Sequence, residues 1–327
     1  MAVDVEELLS GLERGERRAL ARLLTLVEDG DPARLREIIA AIHPRTGRAR
    51  VTGITGSPGV GKSTLTNAIA GELRAQGRSV AILAVDPSSP FSGGALLGDR
   101  VRMQGHHADA DVFIRSMASR GHLGGLSFAT PQAVLVMDAA GFDDIIVETV
   151  GVGQSEVEIA ATADTTIVAL APGMGDGVQA AKAGILEVAD VLVINKADRG
   201  GAGQLASELR GMLEMGHELE DPDAPPGWWP PIVRTVAVRG EGIDEVMAAI
   251  EDHGRHITST GARDQRQRDR AVHTIREIAL ETVRRRFARL GAGDDERLQA
   301  LADRVAARDL DPYAAADELL AALDSAG

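Results

Sequence analysis

The feature that most constrains the fold is a glycine-rich turn between a β-rich run and a helical run. Residues 56–61 read Gly-Ser-Pro-Gly-Val-Gly, and Lys62-Ser63 follows directly. A strand, such a turn and a helix are the context in which a P-loop holds phosphates. Glycines let backbone N–H groups curl around phosphate oxygens, and the helix N-terminus favours negative charge. The sequence therefore predicts a phosphate-binding loop at the end of a strand.

Particular side chains around this turn have predictable roles. Lys62 is expected to reach the β- and γ-phosphates, because a compact ammonium on a flexible stem suits that contact better than a flat guanidinium. The Ser63 hydroxyl is expected to ligate Mg²⁺. The residues predicted to surround the phosphates are Gly56, Ser57, Pro58, Gly59, Val60, Gly61, Lys62, Ser63 and Thr64.

Short β-rich runs alternate with helical runs after residue 50. The predicted strands are residues 50–55, 79–85, 112–115, 144–148, 165–170, 191–194 and 232–237. Because helical stretches separate most of them, the pattern predicts an α/β fold with a mainly parallel sheet covered by helices on both faces. Ligands in such folds bind beyond the carboxyl ends of the strands.

Helical segments are predicted at both ends of the chain. Residues 4–42 are expected to form two helices, the second beginning at Asp31-Pro32, and the Arg-rich residues after 255 form helices with a break near 291–295. An irregular loop at 220–231 carries Trp228-Trp229, interpreted as a packing anchor. The predicted domains are an N-terminal helical extension at 1–45, a phosphate-binding domain at 46–255 and a C-terminal helical arm at 256–327.

Composition excludes several classes of function. The chain has no cysteine, which excludes disulfides, thiolate nucleophiles and cysteine-ligated metals. A net charge of −14 argues against a general nucleic-acid binder or a binder of anionic membranes. The acidic start does not resemble a signal peptide, and no apolar run reaches the roughly 18 residues needed to span a bilayer. A cytoplasmic protein is therefore expected.

A second motif, Asn195-Lys196-Ala197-Asp198, follows the apolar run Val191–Ile194. The carboxylate of Asp198 can accept hydrogen bonds from guanine N1–H and N2–H₂, for which adenine has no matching donors. The stem of Lys196 can lie along the base. The loop expected behind the base and ribose is Val236, Ala237 and Val238, where many GTPases have Ser-Ala in place of Val-Ala.

Acidic residues near strand ends are the candidates for the metal site. Glu148 ends a predicted strand in an ExxG sequence, where it can act through Mg²⁺ and its waters, and the Gly151 amide can sense the γ-phosphate. Asp86 ends another strand and is a candidate partner of Mg²⁺ or of a water. Asp99 is a further candidate ligand, with a helix cap or a solvated residue as the alternative.

The residue after Gly151 bears on the rate of hydrolysis. It is Val152, at the position where many small GTPases have a water-orienting glutamine. The sequence therefore predicts slow hydrolysis by the protein alone and acceleration by a partner.

Together these motifs resemble the MeaB/ArgK family of P-loop GTPases, over about residues 5–325. The most specific stretches are residues 53–64, 86–90, 119–126 and the run Glu-Thr-Val-Gly-Val-Gly-Gln-Ser-Glu at 148–156. The resemblance implies a homodimeric, Mg²⁺-dependent GTPase chaperone that gates adenosylcobalamin loading and protects methylmalonyl-CoA mutase. It also implies that the C-terminal arm mediates dimerisation.

The resemblance further implies a segment that couples mutase binding to GTP hydrolysis. Here it is residues 172–182, in which Gln179 and Lys182 match the coupling residues of the family. Two other functions stay open. A metal-insertion GTPase would be expected to show a Cys/His cluster, and an ATPase or kinase serving lysine/arginine/ornithine transport is disfavoured by the Asn-Lys-Ala-Asp motif. Neither nucleic acid nor membrane insertion is expected.

Overall fold

The computed structural model describes residues 4–87, 109–119, 129–149, 159–173, 186–217 and 227–325. Within those ranges, the side chains of residues 86, 87, 118, 119, 186, 216, 217, 286–297 and 322–325 are not described. The chain forms two compact units, Met1–Gln267 and Arg268–Gly327. The domain limits expected from the sequence stay a prediction.

The centre of the first unit is a parallel sheet of seven strands in the order β3-β2-β4-β1-β5-β6-β7. Every strand pairing in it is parallel, which confirms the predicted α/β fold. The strands are β1 Arg50–Thr55, β2 Val80–Pro87, β3 Val112–Ser119, β4 Asp144–Thr149, β5 Thr165–Leu170, β6 Val191–Ile194 and β7 Ile232–Arg234.

The last strand is shorter than predicted. It ends at Arg234, whereas the β-rich sequence continues to Ala237. The amide of Val236 turns away and donates to the carbonyl of Glu241, and Ala237–Arg239 forms a 3₁₀ turn. Gly240 and Gly242, at φ 73° and 75°, close this loop in a conformation that branched residues rarely adopt.

Helices cover both faces of the sheet. Alternate residues of a strand point to opposite faces, so Ile145 and Val147 enter one apolar layer and Ile146 enters the other. The helices of the first unit are α1 Val5–Glu13, α2 Arg17–Asp29, α3 Pro32–Ile42, α4 Lys62–Ala75, α5 Ala129–Ala139, α6 Ala202–His217 and α7 Ile243–Ser259, with single turns at His43–Arg45 and Leu186–Val188. Residues of α1–α3 and α5 pack on one face, and those of α4 and α7 on the other.

The N-terminal region contains three helices, so the prediction of two was wrong. The first predicted helix is divided around Gly15, whose φ of 75° ends α1 and turns the chain into α2. The predicted start of the following helix is confirmed, because the Asp31 carboxylate accepts from the amide of Arg34 at 2.9 Å and Pro32 occupies the first turn.

The C-terminal helix also differs from expectation. Helix α8, Ala262–Ala306, runs without interruption through residues 291–295, where the sequence predicted a break. A glycine inside a helix lowers its stability by about 1 kcal/mol relative to alanine but does not stop it. Helix α9, Pro312–Ser325, follows, and an ion pair of 2.7 Å between Arg304 and Glu318 joins it to α8.

A group of buried and half-buried side chains lies at the amino ends of β5 and β6, here called the amino-edge cluster: Trp228, Asp190, His253 and Arg266. Arg266 donates to both carboxylate oxygens of Asp190 at 2.8 and 3.0 Å. Nε2 of His253 lies 3.1 Å from the same carboxylate. The Trp228 indole N–H donates to the Asp190 carbonyl at 2.7 Å, and its ring packs against His253. Of the pair that the sequence suggested as a packing anchor, Trp228 has that role and Trp229 is 44% exposed.

The electrostatics of this cluster favour an ionised carboxylate. Burial by itself would raise the pKa of Asp190, but the contacts of His253 and Arg266 outweigh it and hold the pKa below its ordinary value.

Across the part of the chain that is described, no helix is both long and apolar enough to cross a bilayer.

Candidate nucleotide-binding site

The predicted phosphate loop connects the carboxyl end of β1 to the first residue of α4. Two of its glycines are required by space as well as by conformation. A Cβ on Gly56, at φ 136°, would lie 2.0 Å from the carbonyl oxygen of Ala169. A Cβ on Gly61, at φ 97°, would lie 2.5 Å from Nδ2 of Asn195. The loop therefore sits close against the ends of β5 and β6, and its backbone amides lie at a helix N-terminus.

Lys62 lies inside this loop. Its ammonium donates to the carbonyl oxygens of Gly56 at 2.7 Å and Ser57 at 3.2 Å, and the residue is 7% exposed. The ammonium is therefore fixed among the loop backbone groups at the start of α4. Val60 is buried beneath the loop, whereas Pro58 and Gly59 are exposed and Thr64 lies on the exposed side of α4.

The other end of the site is a carboxylate between two hydroxyl groups. Ser63 donates to Oε1 of Glu148 at 2.6 Å, and Thr66 donates to Oε2 at 2.9 Å. Glu148 is 5% exposed at the end of β4. The structure thus brings two predicted metal ligands together and adds Thr66, which sequence reasoning missed. Thr66 follows Ser63 by one helical turn, so the available signal was its position on the same face of α4.

Asn195 connects the phosphate loop to the loop after β7. Its amide nitrogen donates to the Val60 carbonyl at 3.0 Å. Its amide oxygen accepts from the Thr235 hydroxyl at 3.2 Å and from the Ala237 amide at 3.1 Å. Asn195 is 3% exposed, and its buried amide hydrogen-bonds to both loops and so fixes one relative to the other.

Lys196 and Asp198 lie at the rim of the same site. Lys196 has a φ of 58° and donates from Nζ to the Gly59 carbonyl at 2.5 Å. The Asp198 side chain is 44% exposed, and Nη2 of Arg239 lies 3.6 Å from its Oδ2. The Asp198 carboxylate is therefore accessible to a base. Arg239 is a neighbour that the sequence did not indicate.

The loop predicted behind the base lies next to Asn195. Val236 and Ala237 are buried, and Val238 is 80% exposed. Asp86 lies near the end of β2, one residue past Val85, which is in register with Thr149 of β4. Its backbone therefore lies at the carboxyl edge, and its side chain is not described. Four predicted residues lie outside the described ranges: Asp99, Gly151, Gln179 and Lys182.

The site combines an anion-binding loop, an oxygen-donor pair and an exposed carboxylate. These groups are suited to the phosphates, to a hard divalent cation and to the hydrogen-bond donors of guanine, respectively. All of them lie at the carboxyl ends of β1, β4 and β6, where a parallel sheet binds its ligands.

Comparison with known proteins agrees with this geometry. A family model described as "Methylmalonyl Co-A mutase-associated GTPase MeaB" matches residues 20–291. A putative GTPase of Pyrococcus abyssi is 47% identical over 317 residues, covering 97% of this chain and 96% of that protein. The mouse protein named "Methylmalonic aciduria type A homolog, mitochondrial" is 32% identical and covers 98% of this chain and 80% of its own length.

A solved structure has the same fold over the whole length. It is described as "Crystal structure of LAO/AO transport system kinase" and has a TM-score of 0.70 at 31% identity. The match covers 99% of this chain and 100% of that one.

Proposed function

The chain belongs to the MeaB family of methylmalonyl-CoA mutase-associated GTPases, and from that premise we propose that it is a GTPase chaperone of this mutase. In this proposal it gates the loading of adenosylcobalamin into the mutase and protects the enzyme from inactivation. Hydrolysis of GTP is the family activity. The observation that carries the assignment of the client is the family match over residues 20–291, together with the similarity to the mouse methylmalonic aciduria protein.

The phosphates of GTP would lie in the loop at 56–61. There the backbone amides and the dipole of α4 favour negative charge, and Lys62 would exchange its carbonyl contacts for β- and γ-phosphate oxygens. Asn195 holds this loop against the base-binding region through Val60 and Ala237. A base placed between Lys196 and the loop at 236–238 would reach the accessible carboxylate of Asp198.

The donor set fits Mg²⁺. Ser63 and Glu148 offer hard oxygen donors side by side. Among the described residues, no group of three or more His, Cys, Asp or Glu could hold a metal ion. A serine hydroxyl beside a carboxylate suits an ion that takes one or two protein ligands and completes its shell with phosphate oxygens and waters. Bound there, Mg²⁺ would neutralise charge on the β- and γ-phosphates. Asp86 and Asp99 are further proposed partners.

Homodimerisation through the C-terminal arm is part of the proposal. Within the second unit, Leu301 is the one apolar residue that is buried among the described side chains. Helix α8 instead exposes large apolar residues: Val272, Ile275, Ile278, Leu280 and Val283. Several exposed large apolar residues on one helix are consistent with a protein–protein interface.

The sequence suggests that a partner accelerates hydrolysis, with Gln179 and Lys182 as the proposed coupling residues. We expect single-turnover GTP hydrolysis to be slow for the protein alone and at least about tenfold faster with purified methylmalonyl-CoA mutase. Lys182→Ala is expected to bind GTP normally and to lose the stimulation. A matched control is Arg210→Ala, which removes an exposed basic side chain from α6.

Two results would contradict this proposal. If the mutase leaves the rate of the intact protein unchanged, the client is wrong. If Lys182→Ala remains fully stimulated, the mutase is the partner but Lys182 is not its coupling residue.

A second candidate function comes from the similarity to the solved structure with a TM-score of 0.70, which is named as a transport system kinase. Under that function ATP would be the preferred nucleotide. The accessible carboxylate of Asp198, which adenine cannot satisfy, favours GTP instead. Competitive titration of the protein with GTP and ATP separates the two functions.

A further inference from the structure

Helix α4 places two hydroxyl groups beneath the end of β4. Ser63 and Thr66 are one turn apart, so their side chains share a face of the helix. Each donates to a different oxygen of Glu148, at 2.6 Å from Ser63 and 2.9 Å from Thr66. The two donors therefore define the orientation of the carboxylate about its terminal torsion, which is otherwise broad.

Burial makes the Thr66 contact more than a surface hydrogen bond. Thr66 is fully buried, and Glu148 is 5% exposed. A carboxylate oxygen at such depth needs a donor, because an unsatisfied buried charge is costly. Ser63 and Glu148 are both proposed to serve Mg²⁺. Thr66 differs from them, because it is fully buried one helical turn beyond Ser63 and contacts the other carboxylate oxygen, Oε2.

We infer that Thr66 is a positioning residue of the magnesium site. Its hydroxyl holds Oε2 of Glu148, which keeps Oε1 directed at Ser63 and at the place where Mg²⁺ and its waters would lie. This inference rests on the proposed Mg²⁺-dependent binding of GTP. The proposed role requires the hydroxyl group of Thr66. A role in packing alone would require only a side chain of the same shape, such as valine.

The chain offers variants that separate these two roles. Thr66→Val keeps the shape and removes the donor, and Thr66→Ser keeps the donor. Thr130→Val is the matched control, because Thr130 is a fully buried threonine on α5 whose hydroxyl has no hydrogen-bond partner in the described structure. Thr66→Ala serves as a second donor-free variant if the valine protein does not fold.

The experiment measures the Mg²⁺ concentration that gives half of the Mg²⁺-dependent gain in affinity for a fluorescent GDP. Loss of a residue that hydrogen-bonds to a metal ligand typically lowers the affinity for the metal by about 10- to 100-fold. We therefore expect Thr66→Val to need at least about tenfold more Mg²⁺ to reach half of this gain. Thr66→Ser and Thr130→Val are expected to match the unaltered protein. Affinity for GDP in EDTA is expected to be the same in all four proteins.

The outcomes are distinguishable. If the unaltered protein binds GDP with no dependence on Mg²⁺, the proposed metal site is wrong and the role of Thr66 falls with it. If that dependence exists but Thr66→Val leaves it unchanged, only the role of Thr66 is wrong. The role of Thr66 is also wrong if Thr130→Val raises the required Mg²⁺ concentration as much as Thr66→Val does. It is likewise wrong if Thr66→Ser needs as much Mg²⁺ as Thr66→Val.

Discussion

Strand β6 has an aspartate just beyond each of its ends, and the two are in opposite situations. Asp190 precedes the strand in the amino-edge cluster, where its side chain is 9% exposed. Asp198 follows the strand at the nucleotide site, where its side chain is 44% exposed. The same sheet thus holds one carboxylate that the protein saturates and one that remains available to a ligand.

The difference in partners explains the difference in role. The Asp190 carboxylate accepts from the amide of Thr166 at 2.8 Å as well as from Arg266. Asp198 has Arg239 as a neighbour at 3.6 Å, too long for a hydrogen bond. Removing one partner of a buried ion pair destabilises the fold, because the other charge is left uncompensated. An exposed carboxylate is solvated, so it has little effect on the free energy of unfolding and can exchange its waters for a base.

The largest expected effect is at the buried end. Asp190→Ala removes the anion that compensates Arg266 and leaves the buried amide of Thr166 without its acceptor. Because the Arg266 side chain is 36% exposed and partly solvated, the cost is expected to be about 3 kcal/mol, less than the upper values for a fully buried pair. We expect the free energy of unfolding, from urea denaturation, to fall by that amount. If the free energy of unfolding of Asp190→Ala falls by less than about 1 kcal/mol, the amino-edge cluster does not stabilise this edge of the sheet.

A smaller effect, in binding and not in stability, is expected at the exposed end. Asp198→Ala removes the acceptor for guanine, and a hydrogen bond to a charged group contributes about 1.5–3 kcal/mol. GDP should bind about ten- to a hundredfold more weakly, measured by calorimetry, while the free energy of unfolding changes by about 0.5 kcal/mol or less.

Inosine diphosphate sharpens this prediction, because hypoxanthine lacks the 2-amino group of guanine. The unaltered protein should prefer GDP to inosine diphosphate, and Asp198→Ala should lose that preference. An unchanged preference would show that another group recognises the base.

The smallest expected effect is a dependence of stability on pH. Because the folded pKa of Asp190 lies below its ordinary value, its contribution is present above the unfolded pKa of about 3.9 and is lost as the pH falls through the folded pKa. The free energy of unfolding should therefore decrease as the pH falls below about 4. Asp190→Asn should have a flatter profile there; parallel profiles would contradict the assignment.

Local sequence patterns predicted the strands well where both faces are buried. The limits of Thr165–Leu170 and Val191–Ile194 match the predicted runs, because short, largely apolar runs are typical of strands buried on both faces of a covered parallel sheet. The end of β7 was missed, since the Val236 amide finds its partner in Glu241, beyond the strand. The continuous α8 was missed because glycine is unfavourable in helices without being forbidden.

Motifs proposed the candidate site residues, but not how those residues contact one another. Ser63 and Glu148 could each be proposed from its own motif, whereas Thr66 has no motif and is identified only by its distance from Glu148. The contacts of Asn195 with Val60 and Ala237 likewise join segments far apart in the chain. Such contacts depend on strand order, which local spacing does not contain.

The sequence by itself determined the kind of site this protein has: a phosphate loop, a guanine motif and an acidic strand end on a parallel sheet. It could do so because glycine geometry, charge and periodicity act over a few residues. Only the tertiary structure decided that Asp190, at the other end of β6, is buried and saturated by Arg266 and the Thr166 amide. Burial and hydrogen bonding depend on neighbours from distant segments. Arg266 lies at the start of α8, directly after α7, so it becomes a neighbour of Asp190 only once α7 has packed on the sheet.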